Sequence, residues 1–234
     1  MLRFRHFILT RFNVRIENRE PPGPEWLEHR MDVFERFCFP SVRAQTNMNF
    51  EWVVFCHPEM PSAIRERLRA CSAWKTFRPI FFRSSFSQDM VRATISDRLS
   101  GYSHAITTRL DNDDAISTGF VETIQSRFSG QEFEFLNFKN GYIWKGGKLY
   151  SGQHGSNAFI TLVEQSRDCS TVYCGNHVEL NRLGPITQIE EPAGWLQVVH
   201  ARNLLNQAWG KPHDLHGIAE SFGLSVEALA KGSN

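Results

Sequence analysis

Short apolar stretches at residues 4–12, 50–56, 76–82 and 105–110 alternate with segments whose apolar residues recur at helical spacing. This alternation limits the possible folds more than any other feature of the chain. Leu27, Met31, Phe34 and Cys38 fall at intervals of 4, 3 and 4 on one helical face, and Val91, Ile95 and Leu99 at intervals of four. Proline disfavours helical geometry in the residue before it, so Pro40 is expected to interrupt the helix that starts at Glu25. A further helix is expected over 62–71 behind Pro61, and another over 88–99 that ends at Gly101. Ser117 or Thr118 should cap a helix carrying Phe120, Ile124 and Phe128. Strands separated by helices predict an α/β fold, a mostly parallel sheet with helices on both faces. Right-handed crossovers bring the strand ends to a common edge, and such sheets bind ligands outside their C-terminal ends.

The second half has a different pattern. Residues 132–150 alternate and contain Lys139-Asn-Gly and Lys145-Gly-Gly, which predicts antiparallel hairpins. Strand-like pieces are expected within 171–180 and 186–200, and two short helices around Gly223 within 214–231. No repeat or low-complexity linker divides the chain. The expected organisation is one domain over 1–210, with a nucleotide-binding half (1–130) and an acceptor half (131–210), followed by a helical extension over 211–234. At 234 residues, 41% hydrophobic and 22% charged, the composition is that of one globular domain. The net charge of +1 lacks the signature of a polyanion binder, so no nucleic-acid partner is expected. No apolar run is long enough to span a bilayer, and arginines interrupt the apolar N-terminus. A cytoplasmic location follows as the expectation, with any membrane association peripheral. The five cysteines are odd in number and form no CxxC pair, which predicts buried thiols rather than a zinc site or disulfides.

The strongest chemical signal follows the fourth apolar stretch: Thr107-Thr-Arg-Leu-Asp-Asn-Asp-Asp-Ala-Ile. Asp111, Asp113 and Asp114 fall at the C-terminal end of an expected buried strand. Carboxylates so close repel one another, and each loses free energy when desolvated. A positive group must offset them. A divalent cation, Mg2+ or Mn2+, is the natural candidate, because hard cations favour carboxylate oxygens and reach substrate phosphates. The plainer alternative is a helix cap or an Asx turn.

Four pieces in order carry a resemblance: Phe7-Ile-Leu-Thr-Arg-Phe-Asn, Phe37-Cys-Phe-Pro-Ser-Val-Arg-Ala-Gln, Asn49-Phe-Glu-Trp-Val-Val-Phe, and the aspartate cluster. Over about residues 4–205 the chain resembles the GT-A glycosyltransferases, and more narrowly a bacterial group described as rhamnosyltransferases. The resemblance implies that Asp111, Asn112 and Asp113 match the family's DxD triplet, with Asp111 near the donor ribose or sugar and Asp113 on the metal, where Asp111 is a further candidate ligand. It places Thr10, Arg11 and Asn13 where the nucleotide sits, adds Arg92 on the helix before the cluster, and Arg109 at the head of the motif. Arg11 and Arg92 could equally be surface charges. A late histidine often completes the metal site; His200 is the first choice and His177 the second.

An inverting enzyme would also need a carboxylate base. The late acids are Glu179, Glu190 and Glu191, with nothing to choose between them. The loop 151–159 could close over the donor, line the acceptor pocket or simply connect two strands. Trp144 and Trp195 could stack on a sugar or lie buried. The tail 214–229 has helix-turn-helix spacing but is not basic, and packing on the domain or a partner is expected. The implied function is metal-dependent transfer of a sugar, rhamnose by the group's description, from a nucleotide-sugar donor to a glycan or glycolipid acceptor. The alternatives are another metal–phosphate enzyme, such as a nucleotidyltransferase, and a catalytically inactive binding module.

Overall fold

A computed structural model describes residues 2–17, 22–200 and 207–230. In chain order it comprises β1 (Phe4–Arg11), α1 (Pro24–Val33), a π-helical turn (Phe34–Cys38), α2 (Phe39–Arg43), β2 (Glu51–Cys56), α3 (Ser62–Cys71), β3 (Phe77–Phe81), α4 (Gln88–Ser96), β4 (His104–Arg109), β5 (Ala115–Ile116) and α5 (Phe120–Ser126). It continues with β6 (Phe133–Phe138), β7 (Asn140–Lys145), β8 (Lys148–Gln153), β9 (Thr161–Gln165), β10 (Ile186–Ile189), β11 (Trp195–Val198), β12 (Lys211–His213), α6 (Ile218–Ser221) and α7 (Val226–Ala230).

The first sheet has seven strands in the order β10-β6-β9-β4-β1-β2-β3. β3, β2, β1 and β4 run parallel, and β9 is antiparallel to both of its neighbours. β1 lies inside this sheet and is buried on both faces. Ile8 packs with Trp52, Val54 and Ile106 on one side; Phe7 and Leu9 pack with Val53, Phe55 and Val91 on the other. Burial on both faces explains why the strand reads as an unbroken apolar run.

The helix from residue 24 does not stop at Pro40. A π-turn precedes it, in which the Phe39 N–H donates to the Phe34 carbonyl. Pro40, in the first turn of α2, needs no donor of its own, and the wider turn leaves room for its ring. The extra residue gives the helix two apolar faces. Met31, Phe34 and Cys38 meet the first sheet, while Val33 and Phe37 meet Trp144, Leu196 and Phe222.

Lys139-Asn-Gly is not a hairpin turn. β6 ends in the first sheet, and β7 begins in a second sheet ordered β12-β8-β7-β11-β5. Gly141 is needed for a different reason: a Cβ there would lie 2.0 Å from the Trp195 ring. Lys145-Gly-Gly does form the β7–β8 hairpin, with φ of +57 and +80 at Gly146 and Gly147. No strand forms within 171–180. Buried Glu164 accepts hydrogen bonds from the N–H groups of Ser170 (2.6 Å) and Thr171 (2.8 Å), so this segment folds as a turn with Thr171 at φ +66 and continues into a 3-10 helix (His177–Arg182). Gly119, not Ser117 or Thr118, stands at the N-terminus of α5. Strand β9, after the loop 151–159, was not among the expected strands.

β12 pairs antiparallel with β8. Ile218, Phe222, Leu224 and Leu229 then pack against Val33, Phe37 and Trp144. The Trp144 indole donates to the Leu229 carbonyl at 3.0 Å. All five cysteines are free, and four of them are buried. Among the described residues no helix is long and apolar enough to cross a membrane.

Candidate active site

The chain leaves β4 at Arg109 and turns through Leu110 to the aspartates, at the C-terminal edge of the parallel strands. Buried Leu110 and the Asn112 amide, which donates to the Phe12 carbonyl at 2.8 Å, anchor that turn to the end of β1. The cluster opens onto a cleft of about 880 Å3.

Arginines surround the aspartates. Arg109 reaches Asp111 at 2.8 Å and Arg11 reaches its other oxygen at 3.4 Å. Burial works to raise the Asp111 pKa, but these two guanidiniums hold it well below the usual carboxylate range. Arg30 of α1 forms an ion pair with Asp113 and donates to Asn112 Oδ1 at 3.2 Å, with its guanidinium 4.6 Å from the Trp26 ring centre. Asp114 is buried. Burial pushes its pKa well up, Asp113 and Asp111 push it further, and a 2.8 Å hydrogen bond from the Val198 N–H opposes them. That bond also ties β11 to the cluster. Much of the positive charge that the sequence demanded is thus supplied by the chain itself.

Asp111 and Asp113 both line the cleft, a hard-oxygen donor pair of the kind that holds a cation shared with substrate phosphates. Among the described residues, no group of three or more His, Cys, Asp or Glu is arranged to hold a metal ion. His200 is 3% exposed and sits behind Asp113, with Nε2 at 3.2 Å from its carboxylate. His29 Nε2 stands 3.1 Å from His200 Nδ1, extending the chain of polar groups to α1.

His177 faces the same cleft. Its Nδ1 lies 2.8 Å from Arg109 Nη1. A guanidinium cannot accept a hydrogen bond, so Nδ1 must accept and the ring proton resides on Nε2. Burial and the Arg109 charge push the His177 pKa down to about 4. At neutral pH this imidazole is an uncharged donor.

Residues 15–212 match the family model described as "Putative rhamnosyl transferase". The chain belongs to that family. Among solved structures, this family member is similar to a "putative nucleotide-diphospho-sugar transferase" from Desulfovibrio desulfuricans G20, at 11% identity and TM-score 0.44 over 85% of this chain and 81% of that one. It is also similar to S. aureus TarS 1-349, at 8% identity and TM-score 0.47 over 83% of this chain and 60% of TarS 1-349. The same TarS fragment in complex with UDP aligns at 10% identity and TM-score 0.44, over 85% of this chain and 61% of that one. No curated protein matches the sequence. Family and strand order together give the GT-A-like arrangement that the resemblance implied, and the activity class is glycosyl transfer.

In this rhamnosyl transferase family member, Arg11, Asn13, Arg109, Asp111, Asn112 and Asp113 all line the one cleft. Asn13 is also committed to the backbone, pairing with the His57 N–H (2.8 Å) and carbonyl (3.2 Å). Three groups of expected site residues lie elsewhere. Thr10 is in the core, accepting the Trp52 indole N–H at 2.9 Å, because its side chain points to the face of β1 opposite Arg11. Arg92 is on the outer side of α4, 3.8 Å from Asp89, beside a separate hollow. Glu179 pairs with Arg182 and Glu190 with Lys139; neither they nor exposed Glu191 line the cleft. Sequence reasoning missed Arg30, whose only signal was a charge between the apolar positions Leu27 and Met31. It also missed His29 and Trp209, which carried no local signal.

Proposed function

We propose that the protein transfers a sugar, rhamnose by the description of its family, from a nucleoside-diphosphate donor to a hydroxyl of a glycan or glycolipid. The supporting observation is the mixed charge of one cleft: Arg11, Arg30 and Arg109 beside Asp111 and Asp113, at the edge where parallel sheets bind ligands. The leaving diphosphate gains negative charge as the glycosidic bond breaks, and preorganised cations stabilise that charge. Arg109 and Arg11 are fixed by Asp111 and would meet the phosphates. His177 Nε2–H adds a neutral donor nearby. Asp111 and Asp113 would hold a divalent cation together with the phosphates, with His200 supporting Asp113 from behind. Such a cation supplies Lewis-acid stabilisation of the leaving group. The late glutamates lie outside the cleft, so none of them is assigned as a base.

A thermal-shift series with UDP, dTDP and GDP, with and without Mn2+, tests this reading. One nucleotide with metal is expected to raise Tm by about 5 °C or more at saturating concentration. Asp113→Asn, which keeps the shape of the side chain, is expected to lose the metal-dependent part of that shift. Failure of every nucleotide to stabilise the wild type would overturn the proposal. Release of pyrophosphate instead of nucleoside diphosphate would make the enzyme a nucleotidyltransferase.

A further inference from the structure

The far wall of the cleft is aromatic. Trp195 is 1% exposed and forms its floor, stacked on Phe159 with ring centres 5.5 Å apart and planes at 16°. Trp209 lines the same cleft, lies 6.2 Å from Trp195 and is 39% exposed. With Trp195 and Phe159 it forms one continuous aromatic wall, and an indole there offers an apolar face and a polar N–H to a ligand.

The backbone is built around this ring. A Cβ on Gly152 would lie 2.5 Å from the Trp209 indole, so only glycine lets the ring lie on β8. Gly210 follows at φ +96, and a Cβ there would lie 2.2 Å from the Ser151 carbonyl. This close approach comes just before the β12–β8 pairing, which begins at Lys211 opposite Ser151. The ring therefore lies close on β8 with part of its surface exposed.

Polar side chains flank it. Successive residues of a strand face opposite ways, so Trp195 and Gln197 share the cleft side of β11 while Leu196 and Val198 enter the core. The His154 ring is 6.4 Å from Trp209. An aromatic face edged by an amide and an imidazole suits a ligand with an apolar C–H face and a rim of hydroxyls. A pyranose ring has that chemistry; an acyl chain would offer the Gln197 amide no hydrogen-bond partner.

We propose that Trp209, backed by Trp195 and edged by Gln197 and His154, is the platform on which a pyranose ring of the acceptor stacks. This rests on the transferase reading and narrows its acceptor to a sugar hydroxyl. The aspartate–arginine wall is left to the donor.

Calorimetric titration of the full chain with methyl β-D-glucopyranoside, methyl β-D-galactopyranoside and methyl α-L-rhamnopyranoside, with and without UDP or dTDP and Mn2+, tests it. Saturable binding of at least one pyranoside is expected, weakened about tenfold or more in Trp209→Ala and about threefold or less in Trp209→Phe. Gln197→Ala, which leaves the aromatic packing untouched, should also weaken pyranoside binding while nucleotide affinity stays that of the wild type. Pyranoside affinity unchanged in Trp209→Ala and Gln197→Ala, or no pyranoside binding by a wild type that does bind nucleotide, would overturn the proposal. Loss of nucleotide binding in the wild type would instead strike at the transferase reading, since the pyranoside titration without nucleotide is read separately.

Discussion

Asp111 is the residue on which the charges of the site converge. Its carboxylate is ionised well into acid because two arginines oppose the cost of burial, and one of them, Arg109, also fixes the His177 tautomer. The two groups respond to pH in distinct windows. The folded pKa of Asp111 is depressed, so its contribution to stability is present above the ordinary carboxylate pKa and is lost only as pH falls through the lower folded value. His177 is neutral when folded, with a pKa of about 4 against an ordinary 6.5, so the unfolded chain takes up a proton first. Its effect is absent above about pH 6.5 and removes stability as pH falls from there towards 4. Buried His6, pushed down to about 3, acts in the same direction. Denaturant melts between pH 7 and pH 4 should show a falling midpoint, and His177→Gln, which can still accept from Arg109, should flatten part of that fall. An unchanged slope in the variant would mean that His177 is not held neutral.

At the scale of elements, two irregularities place the site. The π-turn before Pro40 lets one helix face both sheets, and Arg30, in the last turn of α1 just before it, meets Asp113. The change of sheet at Lys139 puts β7 beside β11, where Gly141 admits the Trp195 indole. Gly141→Ala drives a methyl group into that ring and should cost about 1–3 kcal/mol, as overpacking does. Chemical denaturation would measure the loss. Because Trp195 floors the cleft, pyranoside binding should weaken in the same variant. Trp52 was legible as core from an unbroken apolar run, and Val91 and Ile95 from helical spacing, because strands and helices buried in layers advertise their pattern. Strand β9 was not. It follows a glycine- and serine-rich loop, and its place between β4 and β6 is set by pairings made elsewhere in the chain.

Across the whole molecule, the last described segment closes the second sheet and covers the back of the central helix. Phe222 and Leu229 are buried against Val33, Phe37 and Trp144, and Arg36 donates to the Ala228 carbonyl at 2.9 Å. The helix-turn-helix spacing in residues 214–229 serves packing here. A chain ended after residue 210 would expose Val33, Phe37 and Trp144, each worth about 1.5–3 kcal/mol of burial. The expected result is aggregation on expression, or a melting temperature lower by about 10 °C. Retention of the full-length Tm would show that the body folds without this segment.

The sequence by itself determined the alternation of strand and helix, the edge at which the chemistry lies, and the aspartates that stand there. All of these follow from local periodicity and from chain order, which short-range sterics and right-handed crossovers convert directly into layers. Only the tertiary structure decided what surrounds the aspartates. Arg30 and His29 come from α1, Arg11 from β1, His200 from beyond β11, and Trp209 from the approach to β12. These partners are distant in sequence, and their meeting depends on strand order, a widened helical turn and glycines chosen for the rings that lie on them. Thr10 and Arg92 were misplaced for the same reason: which way a side chain faces on a buried strand or a helix depends on what packs against it, and neighbouring residues do not record that.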